Sequence, residues 1–177
     1  MTEITRRPAT QGVLLSLVAA TVGFIGITLA AAGAAAPAAV GVVVLAVGLF
    51  RASRRLVTLG ATALFLGIVY AGVLGGVAEL LLLGTLGAVV SWDAGEYAIG
   101  VGEQLGRDAD TTRLTVVHSA ATLLVGIAGT AVVYAVFLAV GGGQPVAALV
   151  LVLLGATALV AALRGNRDTG RQVRRGR

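Results

Sequence analysis

Two ionisable side chains, Glu79 and His118, lie inside otherwise apolar stretches of this chain. A carboxylate and an imidazole can bind a cation or relay a proton, and ionisable groups within membrane helices are often functional because burying them is costly. A simpler interpretation competes for each of them. Glu79 lies about one turn from the start of its helix, where the helix dipole favours an anion. His118 lies about one turn into the next apolar stretch, where water is within reach, and we favour this interfacial interpretation for both residues.

The sequence lacks the residues that most enzyme and metal sites require. It contains no cysteine and one histidine, which excludes thiolate chemistry and any histidine-rich metal site. Gly100, Gly102 and Gly106 resemble a dinucleotide-binding loop, but their spacing differs from G-x-G-x-x-G and no strand precedes them. No catalytic triad, paired-carboxylate or nucleotide-binding signature is present. We therefore expect a non-enzymatic protein with no cofactor, no metal and no catalytic residue.

The longest internal polar stretch, residues 91–113, holds five of the eight carboxylates. Asp93 and Glu96 have the spacing of a helix-capping box, with Asp in place of Ser or Thr. A helix that starts here places small and apolar residues on one side and charged residues on the other, so the stretch is predicted to form a cytoplasmic amphipathic helix. Its candidate partner-docking residues are Trp92, Asp93, Glu96, Glu103 and Arg107.

Charge indicates what this segment contacts. Residues 91–113 carry five acids and two arginines, whereas residues 164–177 carry six arginines and one aspartate. An acidic segment is poorly suited to an anionic lipid surface, and a basic tail, here predicted to be disordered, is well suited to one. We therefore expect residues 91–113 to bind a basic protein partner or the chain's own tail. A helical connector lying on the bilayer is the alternative.

The elements that position these residues are predicted to be membrane helices. Charged residues make up 12% of the sequence, hydrophobic residues 58%, and the mean hydropathy is +0.99, against about 25% charged residues in soluble domains. The prediction is an all-α, polytopic membrane protein with six transmembrane helices in three hairpins. Residues 13–32 exceed the apolar core of a secretory signal, so we interpret them as an uncleaved first span. Within one membrane domain, residues 1–163, the predicted spans are 13–32, 37–50, 56–71, 77–90, 114–140 and 146–163.

The positions of the arginines set the predicted topology. With six spans, all thirteen arginines lie on one side of the membrane and the three short outer turns contain none. The positive-inside rule then places both termini and residues 91–113 in the cytoplasm of a cell-membrane protein. A five-span count would export the arginine-rich tail. This distribution also argues against nucleic acid as a partner, and it puts Glu79 and His118 at opposite faces of the bilayer.

A resemblance supplies a biological context. The patterns W-D-x-G-E, G-E-Q-L-G-R and V-H, at residues 92–96, 102–107 and 117–118, resemble those of a family of small, uncharacterised multi-pass membrane proteins of halophilic archaea. Members of that family are encoded near a MoxR-type ATPase, a von Willebrand-like domain protein and a membrane transglutaminase-like protein. The resemblance therefore implies a role in assembling or maturing an envelope complex.

These observations favour a non-enzymatic accessory or scaffold subunit of a membrane or envelope-associated complex, with residues 91–113 facing a partner. The alternative is a small secondary transporter or channel, in which Thr62, Tyr70 and Glu79 line a path. That alternative predicts broken third and fourth helices, or a hydrated cavity between them at mid-depth. A tightly packed bundle of leucine, alanine and glycine would argue against it.

Overall fold

Five long α-helices make up nearly all of the described chain. The computed structural model describes residues 8–105 and 112–140. The helices are α1 (Thr10–Ala30), α2 (Ala35–Phe50), α3 (Arg54–Val73), α4 (Ala78–Leu105) and α5 (Thr112–Val140), with one turn of 3-10 helix at Ala32–Ala34 before α2. No strand occurs in this part of the chain, so the all-α class is confirmed for it.

The five helices, with α2 taken together with the 3-10 turn before it, are long and apolar enough to cross a bilayer, which requires about 20 residues. The predicted sixth span, residues 146–163, and the basic tail, residues 164–177, lie outside the described residues, as does Arg107. The count of six spans is therefore still a prediction. The five apolar stretches are Thr10–Ala30, Ala32–Phe50, Arg54–Val73, Ala78–Gln104 and Arg113–Ala139.

Two compact units divide the chain, Met1–Ala131 and Val132–Arg177. Within the first unit α1 packs along α4, α2 packs along α3, and α3 also contacts α4. The helices of the predicted hairpins, α1 with α2 and α3 with α4, are also in contact, but less extensively. The second unit includes the end of α5, where the rings of Tyr134 and Phe137 stack with their centroids 6.2 Å apart.

Glycines bring the most closely packed helices together backbone to backbone. A Cβ added to Gly87 of α4 would lie 2.5 Å from the backbone nitrogen of Gly23 in α1, and one added to Gly60 of α3 would overlap the backbone of Leu45 in α2. Lipid provides no hydrophobic drive for helix association, so van der Waals contact through small residues supplies much of the attraction. These glycines therefore explain why α1 packs most closely on α4 and α2 on α3.

Apolar side chains fill the interior of the four-helix part of the bundle. Large apolar side chains on the outer helix faces are exposed, among them Val40, Leu59 and Phe65. This distribution suits a bundle whose apolar surface faces lipid. The buried set includes Ile27, Leu45, Leu49, Val57, Leu64 and Ile99, together with Ala20, Ala34, Ala38 and Ala71.

Helix α4 continues past residue 90, where the fourth span was predicted to end. It runs unbroken over Ala78–Leu105, so residues 91–105 are not a separate surface helix. Asp93 and Glu96 accordingly lie inside a helix and do not form the predicted capping box. Packing explains the difference, because burial against α1 offsets the cost of about 1 kcal/mol that each glycine of this stretch imposes on a helix. The N–H of Ala9, just before α1, donates to the carbonyl oxygen of Ala98 at 3.0 Å.

A tight turn joins α2 to α3. The backbone N–H groups of Ala52 and Ser53 donate to the carbonyl oxygens of Leu49 and Gly48, at 3.2 and 2.8 Å, which is the Schellman closure of a helix C-terminus. Ala52 has the left-handed φ of 51°, which costs a residue with a Cβ about 1 kcal/mol. Ser53 then caps α3, since its Oγ accepts from the N–H of Leu56 at 3.5 Å. Both ends of the turn are therefore fixed by hydrogen bonds.

Candidate functional site

The polar residues of α4 lie on two faces of the helix, and each face binds a different neighbour. Trp92, Glu96 and Glu103 contact α3, whereas Asp93 and Tyr97 contact α5. Residues four or seven apart share one side of an α-helix, and a shift of one residue turns the side chain by roughly 100°. The sequence of α4 therefore presents two separate polar stripes.

Arg54 binds both glutamates of the first stripe to α3. Its Nη1 lies 3.0 Å from Glu96 Oε2 and its Nη2 lies 2.8 Å from Glu103 Oε2, so one guanidinium bridges two carboxylates about two turns apart. The side chains of Arg54 and Glu103 are 46% and 54% exposed, which limits the contribution of each ion pair to about 1 kcal/mol or less. We refer to Arg54, Glu96 and Glu103 as the arginine clasp.

Two further contacts extend the arginine clasp along α3. The hydroxyl of Thr58 donates to Glu96 Oε1 at 3.4 Å and accepts the indole N–H of Trp92 at 3.3 Å. The Trp92 side chain is otherwise half exposed, an arrangement that suits a membrane–water interface because the ring is apolar and its N–H needs a partner. The structure thus brings the predicted docking residues Trp92, Glu96 and Glu103 together, on α3 of the same chain.

Asp93 is the centre of the contacts with α5. Its Oδ2 accepts a hydrogen bond from Thr122 Oγ1 at 2.7 Å and lies 2.8 Å from Nε2 of His118. The imidazole of His118 stacks on the ring of Tyr97, with centroids 4.1 Å apart and planes 10° apart. About one third of the Asp93 and His118 side chains is exposed. We refer to Asp93, Tyr97, His118 and Thr122 as the aspartate–histidine cluster.

The contact between Asp93 and His118 depends on the charge of the imidazole. Nε2 of His118 is shielded from solvent, and in the described chain no acceptor is aligned with it for a hydrogen bond, although Asp93 Oδ2 is at ion-pair distance. The contact is therefore electrostatic and attractive when the imidazole is protonated. The buried hydroxyls of Thr115 and Ser119 also have no hydrogen-bond partner among the described residues. The contact of His118 with Asp93 thus lacks an aligned hydrogen bond, which weakens it.

A third face of α4 packs on α1 without any charged group. Ser16 Oγ donates to the carbonyl oxygen of Ser91 at 2.6 Å, and both serines are buried. A Cβ added to Gly12 would lie 2.7 Å from the Cβ of Ala98. The first turns of α1 therefore support the part of α4 that carries both polar stripes, and they hold those stripes at fixed positions.

Glu79 lies at the other end of α4. It is exposed in the first turn of the helix, where the helix dipole favours a carboxylate, and it precedes Asp93 by about 21 Å along the helix axis. The structure therefore does not bring Glu79 and His118 together. Because α4 runs past the predicted end of the fourth span, Glu79 shares its helix with Asp93, Glu96 and Glu103.

The arrangement supplies ion pairs and hydrogen bonds between helices. Across residues 8–105 and 112–140, no three His, Asp or Glu side chains converge as the ligands of a metal ion would. The arginine clasp joins α3 to α4 on one side, and the aspartate–histidine cluster joins α4 to α5 on another. The ionisable groups of α4 thereby bind three helices of the same chain to one another.

The family of unknown function DUF7519 matches residues 6–160, which is most of the 177 residues. The chain belongs to DUF7519. Membership in this family agrees with the predicted resemblance to an uncharacterised family. Curated proteins and solved structures give no significant match to the chain.

The sequence of this DUF7519 chain predicts the acidic side of the site but not its partners. In the sequence analysis, Arg54 serves only as one of the arginines that set the membrane topology. Thr58 and Tyr97 are given no role there. One usable signal is the spacing on α5, where His118 and Thr122 are four residues apart and so share a face. No comparable local signal connects Arg54 to Glu96, because these residues are 42 positions apart.

Proposed function

We propose that this DUF7519 chain is an integral protein of the cell membrane with both termini in the cytoplasm. We propose further that it serves as a non-enzymatic accessory or scaffold subunit of a membrane or envelope-associated complex. One observation carries the proposal: the ionisable side chains of α4 bind the neighbouring helices α3 and α5. Charged groups that hold a bundle in one arrangement suit a protein that acts by presenting a surface.

The surface proposed to meet the partner is the end of α4, within the predicted docking segment 91–113. Glu103 combines two properties that suit it, since its carboxylate is paired with Arg54 and is also about half exposed. A basic partner can approach Glu103 from solvent without breaking a buried ion pair. The neighbouring Gln104 is also exposed. The predicted partner is a basic protein surface or the chain's own tail, residues 164–177.

Photocrosslinking in the native membrane tests this surface. A photoreactive amino acid replaces exposed Gln104 in one variant and exposed Val40, on the outer face of α2, in a control variant. We expect mild-detergent purification after irradiation to recover a stoichiometric protein adduct from the Gln104 variant and none from the Val40 variant. Recovery of the uncrosslinked chain alone from both variants would overturn the accessory role.

A small transporter or channel is the second candidate, and the aspartate–histidine cluster is the observation that favours it. A partly exposed carboxylate beside an imidazole between two membrane helices can relay protons. The predicted path through Thr62, Tyr70 and Glu79 has less support, because Thr62 donates to its own helix, to the carbonyl oxygen of Thr58, and Tyr70 is half exposed. Unbroken α3 and α4, with apolar residues between them, also speak against it.

Proteoliposomes separate the two candidates. The purified chain is reconstituted with a pH-sensitive dye inside, and an imposed pH gradient or membrane potential drives flux. We expect no proton or cation flux above that of protein-free vesicles. Flux that disappears in the Asp93→Asn variant would establish transport and would displace the accessory role as the primary function.

A further inference from the structure

The turn between α2 and α3 carries three arginines whose surroundings differ. Arg54 is neutralised by the two carboxylates of the arginine clasp. The side chains of Arg51 and Arg55 are exposed and make no ion pair or hydrogen bond with the residues described here. Within residues 8–105 and 112–140, the turn therefore keeps two positive charges without a counter-ion, although two acids lie close to the arginine between them.

Exposed apolar and aromatic side chains lie next to these charges. Phe50, at the end of α2, is 77% exposed. The indole N–H of Trp92 donates to Thr58, which follows Arg55 by three residues and therefore lies less than one helical turn from it along α3. The patch thus combines guanidinium groups with large rings, and we refer to Phe50, Arg51, Arg55 and Trp92 as the basic–aromatic patch.

We propose that the basic–aromatic patch binds an anionic phospholipid, with its phosphate held by Arg51 and Arg55 and its acyl chains against Phe50 and the outer faces of α2 and α3. Two guanidinium groups can contact the oxygens of one phosphate with charge-assisted hydrogen bonds. The proposal uses the membrane location of the bundle but is independent of the accessory role.

An amphiphilic ligand fits this patch better than an acidic peptide or a nucleic acid. The outer faces that continue from the turn are apolar, with Val47 of α2 and Leu59 of α3 exposed at 38% and 59%. A polyanion would neutralise the arginines and leave these side chains in water. A phospholipid covers both parts, because its headgroup and its acyl chains are joined in one molecule.

The hydrogen bonds of the turn fix the backbone positions of Arg51 and Arg55. The N–H groups of Ala52 and Ser53 are bonded back to α2, and Ser53 Oγ caps α3. The backbone between Arg51 and Arg55 is therefore held in one conformation. Binding a headgroup then requires ordering of side chains only, which lowers its entropic cost.

Trp92 is the only tryptophan of the chain, so its fluorescence reports on lipid next to the patch. The full-length protein is reconstituted in phosphatidylcholine with either brominated phosphatidylglycerol or brominated phosphatidylcholine at the same mole fraction, since bromine quenches tryptophan at short range. We expect quenching to show at least about ten-fold enrichment of phosphatidylglycerol near Trp92, because each arginine beside an anionic headgroup contributes roughly five-fold. Equal quenching by the two lipids would overturn the proposal without any variant being needed.

Two variants test whether the enrichment of phosphatidylglycerol depends on Arg51 and Arg55. The double variant Arg51→Gln, Arg55→Gln should lose most of it, and the charge-preserving variant Arg51→Lys, Arg55→Lys should keep the greater part. Arg113→Gln is the control, because Arg113 is also exposed, in the first turn of α5, and its removal lowers the net charge elsewhere. A loss in Arg113→Gln as large as in the double variant would reveal a general surface-charge effect and refute a site. Displacement of phosphatidylglycerol by inorganic phosphate would identify a free-anion site and refute the lipid.

Discussion

Helix α4 binds α1 and α5 in two different ways. Its contact with α1 consists of backbone approaching backbone, as at Gly87 and Gly23, with the buried bond between Ser16 and Ser91 as the polar component. Its contact with α5 consists of the aspartate–histidine cluster, where Asp93 is the common partner of two side chains. The first contact is extensive and contains no ionisable group, and the second is sparse and contains a carboxylate and an imidazole.

This difference in composition determines which of the two contacts can change while the bundle stays folded. Interfaces between small residues lose attraction steeply when the backbones separate, because dispersion depends on contact distance. A cluster of partly exposed polar groups can exchange its partners for water at modest cost. We therefore expect α1 and α4 to behave as one rigid pair and α5 to be the helix whose position responds to conditions.

The largest effect is expected from Gly87→Ala. The added Cβ would lie 2.5 Å from the nitrogen and 2.6 Å from the Cα of Gly23, and backbone cannot move aside as a side-chain tip can. We expect a loss of about 3 kcal/mol, at the upper end for overpacking, measured by thermal unfolding in detergent followed by far-UV circular dichroism. An unchanged melting curve would show that α1 and α4 are not held at this distance.

A smaller and more local effect is expected from Asp93→Ala, which removes the acceptor for Thr122 and the counter-ion for His118 together. We expect a loss of about 1–2 kcal/mol and a broader distribution of distances between α4 and α5. Because the chain has no native cysteine, spin labels can be attached at cysteines that replace exposed Val89 and Leu123. Glu103→Ala is the matched control, since Glu103 binds α3. Equal broadening in both variants would contradict a specific role for Asp93.

Gly129→Ala is the same chemical change as Gly87→Ala, but we expect it to stabilise the protein. A Cβ on Gly129 of α5 would meet none of the described residues within 4 Å, and alanine favours a helix over glycine by about 1 kcal/mol. We expect the apparent melting temperature to rise, and the α4–α5 distance to stay the same. A destabilised Gly129→Ala protein would mean that this face of α5 is closely packed after all.

Much of the fold follows from the sequence because its determinants are local. Uninterrupted apolar stretches predict four of the helices, and the arginine-rich turn at residues 51–55 separates α2 from α3 as expected. The fourth helix continues past residue 90, where Asp93 and Glu96 suggest exit into water. Their partners, His118 and Arg54, are 25 and 42 residues away along the chain. Spacing along one helix reports which residues share a face, but it does not report which helix that face meets.

The length of α4 has one more consequence. The N–H of Ala9 meets the carbonyl oxygen of Ala98, so Ala98 lies level with the beginning of α1, and the helix continues to Leu105. Seven more residues extend it by roughly 10 Å beyond the end of its neighbour. In a bilayer whose thickness matches α1, the last two turns of α4 extend beyond the lipid surface. Glu103 and Gln104 then stand at a height where a large protein can reach them without entering the membrane.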